Sequence, residues 1–241
     1  MISVVVPVLN EEDNIEPLIR EIAAVSKDVP CSEILYVDDG STDRTIEILK
    51  SLRDQYPSLR VIQHDRRSGQ SAALWTGVKA ASNDIVVTMD GDGQNNPADI
   101  ARLYAAFTQN VKNIPALMVV GERMKRNDNW VRRISSRLAN RIRSSILRDN
   151  TKDTGCSLKM FRRRDYLNLP YFNHMHRYLP ALMMRDKVQV IHIGVGHRPR
   201  EHGVSKYGTL DRLLVGITDL WGVWWLLKRP HAQPNILEEL N

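Results

Sequence analysis

The sequence predicts an α/β fold, a mostly parallel sheet with helices on both faces, and three observations carry that prediction. Short β-branched runs alternate with helical patterns over the first 120 residues. The run from Ile85 to Met89 is apolar throughout and reads as a buried strand. Acidic and glycine-rich clusters follow the strands, at the carboxyl ends where such sheets bind ligands. A chain of 241 residues with 42% hydrophobic content suits one domain, with or without an extended tail.

The first strand is expected at residues 2–8; no Arg/Lys-led apolar leader precedes it, so no secretory signal is evident. It ends in Pro7-Val8-Leu9-Asn10-Glu11, where an acid either accepts hydrogen bonds from a base or ribose or favours the positive start of the helix expected at 13–27. The second strand, 33–37, ends in Val37-Asp38-Asp39-Gly40-Ser41-Thr42-Asp43. Those carboxylates cannot all be helix caps. One cap, Ser41 or Asp43, is expected for a helix over 42–55, which leaves Asp39 for a ribose or base. After a strand at 60–63, Arg66-Arg67-Ser68-Gly69-Gln70-Ser71 opens a helix over 71–82 without the glycine fingerprint of a Rossmann dinucleotide site or a P-loop. Gly69 and Gly77 are expected to allow close packing of that helix on the sheet.

The fourth strand, 85–89, ends in Asp90-Gly91-Asp92-Gly93-Gln94. Two carboxylates so placed repel each other unless a cation lies between them, and hard oxygen ligands select Mg²⁺ or Mn²⁺. Such ions keep positions open for phosphate oxygens, so the pair points to a metal-bridged nucleotide diphosphate. The plainer alternative is an acidic loop capping the next helix, 97–110, with Pro97 in its first turn. A fifth strand, 117–120, leads into Gly121-Glu122-Arg123, which sets an arginine beside the expected metal site.

Beyond Gly121 the pattern changes. Nine basic residues lie between Arg123 and Arg148, where a basic amphipathic helix is expected over 130–148. Such a concentration suits a polyanionic partner (a phosphate-bearing substrate, nucleic acid or anionic lipid) or a solvated helix face. A short strand near 158–161, a helix over 174–185, a strand at 188–195, a polar loop at 196–207, a helix over 210–227 and a loosely ordered tail complete the expectation. Cys31 and Cys156 have no metal or redox spacing and read as packed thiols in a reducing compartment. The histidines likewise lack metal spacing.

Taken together, Pro7 with Asn10-Glu11, Asp38-Asp39-Gly40-Ser41, Asp90-Gly91-Asp92 with Gln94, and Gly121-Glu122-Arg123 resemble, in order and spacing, the family 2 glycosyltransferases of GT-A fold. Asp153-Thr154-Gly155-Cys156-Ser157-Leu158 and Arg200-Glu201-His202-Gly203-Val204-Ser205-Lys206 narrow the resemblance to polyprenyl-phosphate glycosyltransferases typified by dolichol-phosphate mannose synthase. The resemblance covers about residues 2 to 210. It implies that Pro7, Leu9, Glu11, Val37 and Asp39 surround the nucleoside, and that Asp90, Asp92 and Gln94 hold the metal. Gly91 stands where that group commonly has alanine. It further implies that Arg123, Arg200 and Lys206 neutralise the donor diphosphate or the acceptor phosphate. Asp153 is left as a base, an orienting carboxylate or a structural residue.

These readings converge on an inverting, metal-dependent transferase that moves a sugar from a UDP- or GDP-linked donor to a polyprenyl phosphate at the cytoplasmic face of the membrane. Residues 1–209 form the catalytic domain in this reading, 210–229 an interfacial or packing helix and 230–241 a tail. Trp221, Trp224 and Trp225 followed by Lys228-Arg229 suit an interfacial helix too short and polar to span, so the chain is expected to be peripheral or recruited by an integral membrane subunit. One rival is a same-fold enzyme with a hydroxyl acceptor, which needs a base such as Asp153. The other is a nucleotide- or nucleic-acid-binding protein without transferase activity; aromatic residues are 6% of the chain and none interleave with the arginines as stacking platforms, which speaks against nucleic acid.

Overall fold

Every residue of the first strand, β1 (Ile2–Val8), is buried, which requires both faces of the sheet to be covered. The computed structural model describes residues 1–124, 143–149, 151, 153–199 and 209–229. Six further strands are described: β2 (Cys31–Asp38), β3 (Leu59–Gln63), β4 (Ile85–Thr88), β5 (Leu117–Arg123), β6 (Lys159–Arg162) and β7 (Gln189–Val195). They form one sheet in the order β3-β2-β1-β4-β6-β5-β7. Strand β6 runs antiparallel between β4 and β5, and every other pair is parallel.

Side chains of β1 alternate between two cores, as strand geometry demands. Val4, Val6 and Val8 pack with α1 (Ile15–Val25) and α4 (Asp99–Asn110) through Ile19, Ile22, Leu103 and Phe107. Val5 faces the other way, toward Leu74 and Val78 of α3 (Gln70–Ala80) and Leu182 of α6 (Leu179–Arg185). Helix α1 forms where the sequence places it because Ile15, Leu18, Ile19, Ile22 and Val25 fall on one face. Gly77 packs as expected: a Cβ there would lie 2.4 Å from a methyl of Val5.

The structure corrects the sequence reading in several places. Helix α2 (Thr45–Leu52) begins three residues late because Thr42 and Asp43 bond to the neighbouring loop instead. Gly69 is a turn residue, with φ of 96° and open space around a hypothetical Cβ, rather than a packing glycine. The helix expected over 174–185 is broken into a 3₁₀ turn (Met175–Arg177) and α6. His174 is left-handed at φ 66°, and Pro180, lacking an N–H, fits only a first helical turn, so the helix restarts there. A short helix, α5 (Arg163–Leu167), follows β6 directly.

Helix α7 (Thr209–Leu227) lies against the second core. Val223 is buried there, with Leu220, Trp224 and Leu227 partly buried around it. Ile217, Trp221 and Trp225, spaced four apart, face outward and are each at least half exposed. Among the described residues no helix is long and apolar enough to cross a membrane. Residues 143–147 are helical, whereas most of the expected 130–148 helix, the loop with Arg200 and Lys206, and the tail from 230 lie outside the described residues.

Candidate active site

The loop that follows β4 holds the acidic pair. Ser157 Oγ and Asn95 Oδ1 accept the Asp90 backbone N–H at 3.0 and 3.3 Å, and Ser157 Oγ donates to Asn95 at 2.7 Å. Gln70 Nε2, at the start of α3, donates to Asp90 Oδ1 at 2.7 Å. Burial pushes the Asp90 carboxyl up to about 6, and the charge of Asp92 adds to the push, while Ser157, Lys159 and Arg123 oppose it. Asp92 Oδ1 accepts the Gln94 N–H at 3.2 Å. Gly91 is a steric requirement: a Cβ would lie 2.3 Å from Val8 Cγ1, so the loop closes onto β1 only with glycine here.

This donor set fits a divalent cation. Asp90, Asp92 and the Gln94 amide offer hard oxygens on one short loop, and the Asp90 carboxyl, raised first by burial and then by the charge of Asp92, is one a cation would draw back to its ionised form. Among the described residues no group of three or more His, Cys, Asp or Glu side chains forms a closed metal cage. A cation here would therefore complete its shell with substrate oxygens and water, as Mg²⁺ commonly does.

The carboxyl ends of β1 and β2 are laced together by side chains. Ser41 Oγ accepts the Asn10 N–H at 2.8 Å, Thr45 Oγ1 accepts the Glu11 N–H at 2.9 Å, and Asn10 Oδ1 accepts the Thr42 N–H at 2.7 Å. Ser41, a candidate helix cap, thus pins the neighbouring loop, whereas Asp43 Oδ1 accepts the Thr45 N–H at 3.0 Å. Asp39 serves α3 from a distance. Its Oδ1 accepts the Ser68 N–H at 2.9 Å and lies 2.8 Å from His64 Nδ1, and its Oδ2 accepts the Gly69 N–H at 2.7 Å. Three of roughly four acceptor positions on that carboxylate are in use. Pro7 is buried, and Val37 is fully buried beneath Gly77 of α3, so neither side chain faces an open pocket. Leu9 and Glu11 are half-buried at the rim.

Arg123 does not stand free beside the acidic pair. Its Nε and Nη2 donate to Asp153 Oδ2 and Oδ1 at 2.6 and 2.7 Å, and its backbone N–H reaches Oδ2 at 3.2 Å. Burial works against the charged guanidinium, but the bonds and charge of Asp153 outweigh it and raise its pKa. A Cβ on Gly155 would lie 2.8 Å from Arg123 Nη2, so Gly155 makes room for this pair. Of the three roles the sequence left open for Asp153, this pairing favours the orienting or structural one, and it occupies the guanidinium of Arg123 as well. Another member of the basic stretch, Arg143, is likewise paired internally, with Asp149.

Behind Asp90 lies a cavity of about 200 Å³, lined among others by Gln70, Ser157, Lys159, His176 and Arg177. Lys159 is 4% exposed and donates to the Cys156 carbonyl. Burial lowers its pKa despite nearby Asp90 and Asp153. His176 shares a 2.8 Å bond with Ser71 and is driven down to about 3 by burial, so it is neutral. Across the loop, Arg198 donates to Glu21 at 2.9 and 2.8 Å and to Asn96 at 2.9 Å, and its N–H bonds the Gln94 carbonyl at 2.9 Å. The segment preceding Arg200 is therefore fastened to the acidic loop. Sequence reasoning missed Gln70, Lys159, His176 and Arg198. Lys159 carried a signal, a lysine inside the apolar run from Leu158 to Phe161.

The comparisons with known proteins agree with this geometry. The model of "Glycosyl transferase family 2" matches residues 3–169. A dodecaprenyl-phosphate galacturonate synthase of Rhizobium johnstonii is 35% identical over 239 residues, 97% of this chain and 69% of the relative. An undecaprenyl-phosphate 4-deoxy-4-formamido-L-arabinose transferase of Edwardsiella ictaluri is 36% identical over 212 residues, 87% of this chain and 63% of the relative. The chain thus spans about two thirds of the length of these relatives. Glucosyl-3-phosphoglycerate synthase of Mycobacterium tuberculosis, solved with Mn²⁺, UDP and glucosyl-3-phosphoglycerate, superposes with a TM-score of 0.65 at 22% identity, over 94% of this chain and 79% of that one. That likeness speaks for the fold. With the acidic loop at the end of β4, the laced loops of β1 and β2, and a family model covering most of the chain, the protein belongs to glycosyl transferase family 2 and has its GT-A fold.

Proposed function

We propose that this chain transfers a sugar from a nucleotide-diphosphate sugar to a polyprenyl phosphate, with inversion, at the membrane surface. The observation that carries the reading is the paired Asp153. The carboxylate best placed by sequence to act as a base is held by both arms of Arg123, and a lipid phosphate, already anionic, needs no base. A hydroxyl acceptor does need one. The polyprenyl-phosphate chemistry named for the two relatives points the same way.

In this mechanism the rims of β1 and β2, with Leu9, Glu11 and the remaining acceptor position of Asp39, receive the nucleoside. Asp90, Asp92 and Gln94 would hold Mg²⁺ or Mn²⁺, which would supply Lewis-acid charge to the diphosphate leaving group. Arg200 and Lys206, which the family resemblance assigns to phosphate neutralisation, would add positive charge. An acceptor phosphate oxygen attacks the anomeric carbon as the bond to the donor β-phosphate oxygen breaks. The nucleoside diphosphate departs with that electron pair, and no proton has to move.

Ile217, Trp221 and Trp225 present an outward apolar face on α7, and Arg229 lies 4.7 Å from the Trp225 ring. This composition suits the headgroup boundary of the cytoplasmic leaflet, where the chain acts as a peripheral protein alone or with an integral membrane subunit. The test is direct: purified protein, undecaprenyl phosphate in vesicles, Mg²⁺ or Mn²⁺, and a panel of UDP- and GDP-linked sugars that includes uronates and amino sugars. A lipid-linked product, seen by mass spectrometry and lost with EDTA, supports the reading. Transfer to hydroxyl acceptors but not to lipid phosphate would refute it.

A further inference from the structure

Two basic side chains, Lys159 and Arg177, line the cavity behind Asp90. Lys159 is almost completely buried, and its ammonium has one protein acceptor, the Cys156 carbonyl. An ammonium carries three donors, and a buried lysine is rare unless paired. Arg177 lines the same cavity. Among the described residues neither forms an ion pair; Asp90 and Asp153 act on Lys159 only at longer range, and Asp153 is held by Arg123.

The wall that carries Arg177 is gripped from two sides. Toward the body, His176 bonds Ser71 at the start of α3 at 2.8 Å, and the buried Met175 anchors the turn. Toward α7, His174 Nδ1 lies 3.0 Å from Asp219 Oδ2, and Tyr178 Oη donates to the Gly216 carbonyl at 3.2 Å. One five-residue stretch, 174–178, thus joins the cavity to the helix that bears the exposed Ile217, Trp221 and Trp225. The polar residue Asp219, out of place on a merely apolar helix, has its use in this junction.

We propose that this cavity takes the phosphate of the prenyl acceptor, with Arg177 as its principal ligand and Lys159 behind it. A guanidinium offers a bidentate fork to phosphate, and a buried ammonium offers a point charge at close range. The neutral His176 holds the turn and leaves the positive charge to its neighbours. An acceptor anchored in the bilayer beneath α7 would bring its headgroup in along the 174–178 stretch, and the oxygen that attacks the anomeric carbon would arrive beside Asp90.

This inference rests on the proposed transfer to a lipid phosphate, and the test separates the two. Wild-type protein, R177A, R177K and K159M are assayed in detergent with a short-chain prenyl phosphate, so that membrane binding plays no part; folding is checked by thermal unfolding. R177A should raise the acceptor KM by about tenfold or more while the donor KM stays within about twofold. R177K should recover part of the loss, since it keeps the charge but not the fork, and K159M should move the acceptor KM the same way. An unchanged acceptor KM in folded R177A or R177K would overturn the assignment, as would a rise confined to the donor KM, which would make Arg177 a ligand of the donor diphosphate or of an acidic sugar. Failure of the wild-type protein to use any prenyl phosphate would instead refute the function on which the assignment rests.

Discussion

Two carboxylates lie at opposite ends of one sheet, Glu33 buried and Asp90 partly buried, and they behave in opposite ways. At the start of β2, Glu33 is 4% exposed and accepts bonds from Ser3 and Arg60, from the Ser82 N–H at 2.8 Å and from Ser82 Oγ at 2.9 Å. Burial acts to raise its pKa, yet the bonds from Ser3, Ser82 and Arg60 carry it below the ordinary value. At the end of β4, Asp90 receives a neutral amide from Gln70 and the repulsion of Asp92, and burial carries it up to about 6. The difference teaches where to look for function. A fold satisfies the acids it uses for itself and leaves unsatisfied the ones it reserves for a ligand.

The sharpest way to break that comparison is activity. D92A should lower transfer by about a thousandfold or more, because leaving-group stabilisation is lost, while E33Q should keep most of its kcat. Steady-state turnover at saturating Mn²⁺ checks both, and an E33Q enzyme as dead as D92A would erase the distinction.

A second test stays at the carboxyl end, with Arg123 and Asp153. Removing either partner leaves a buried charge exposed to the other's absence, so R123A and D153A should each lower kcat/KM by about tenfold to a hundredfold. The double variant should be no worse than the poorer single. D153N should leave the shape of the pH–rate profile intact; loss of its acidic limb would identify Asp153 as a base and revive the hydroxyl acceptor.

Stability supplies the third contrast. E33Q replaces a charged acceptor of several bonds and should cost about 1–3 kcal/mol in urea unfolding. D90N removes a charge that burial and Asp92 oppose, and should be no less stable than the parent in metal-free buffer at neutral pH. A destabilised D90N would mean that Asp90, like Glu33, serves the fold.

The smallest effect is the pH slope of stability. Asp90 titrates near 3.8 when unfolded and about 6 when folded, so the folded state binds the extra proton between those values. Its favourable contribution is full below the unfolded value and is lost as pH rises through 6. Glu33 works in reverse: its contribution is present above its unfolded value of 4.5 and is lost as pH falls through the lower folded value. Metal-free protein should therefore lose part of its stability between pH 5 and 7, and D90N should flatten that loss. Mn²⁺ should stabilise the parent more at pH 7 than at pH 5, since it competes with the Asp90 proton. A melting series with and without Mn²⁺ reads both, and identical slopes for parent and D90N would contradict the account.

Legibility followed the range of the interactions. The acidic loop could be read because Asp90 and Asp92 are two residues apart and follow a strand that declares itself by composition. The bond of Ser71 to His176 spans 105 positions and the pair of Arg123 with Asp153 spans 30, and nothing local in the chain announces either. His174 to Arg185 misled for the opposite reason: its helical pattern is continuous, but Pro180 lacks the N–H that a continuous helix needs there.

The sequence by itself determined most of the strands and helices, the acidic loop after β4 and the family, because each rests on periodicity or on short motifs whose chemistry is local. The tertiary structure alone decided what the charged side chains do. The order β3-β2-β1-β4-β6-β5-β7 brings β6 antiparallel between β4 and β5. That insertion sets Lys159 behind Asp90 and Asp153 against Arg123, pairings that depend on which strands become neighbours. Burial then settles which charges are answered within the protein.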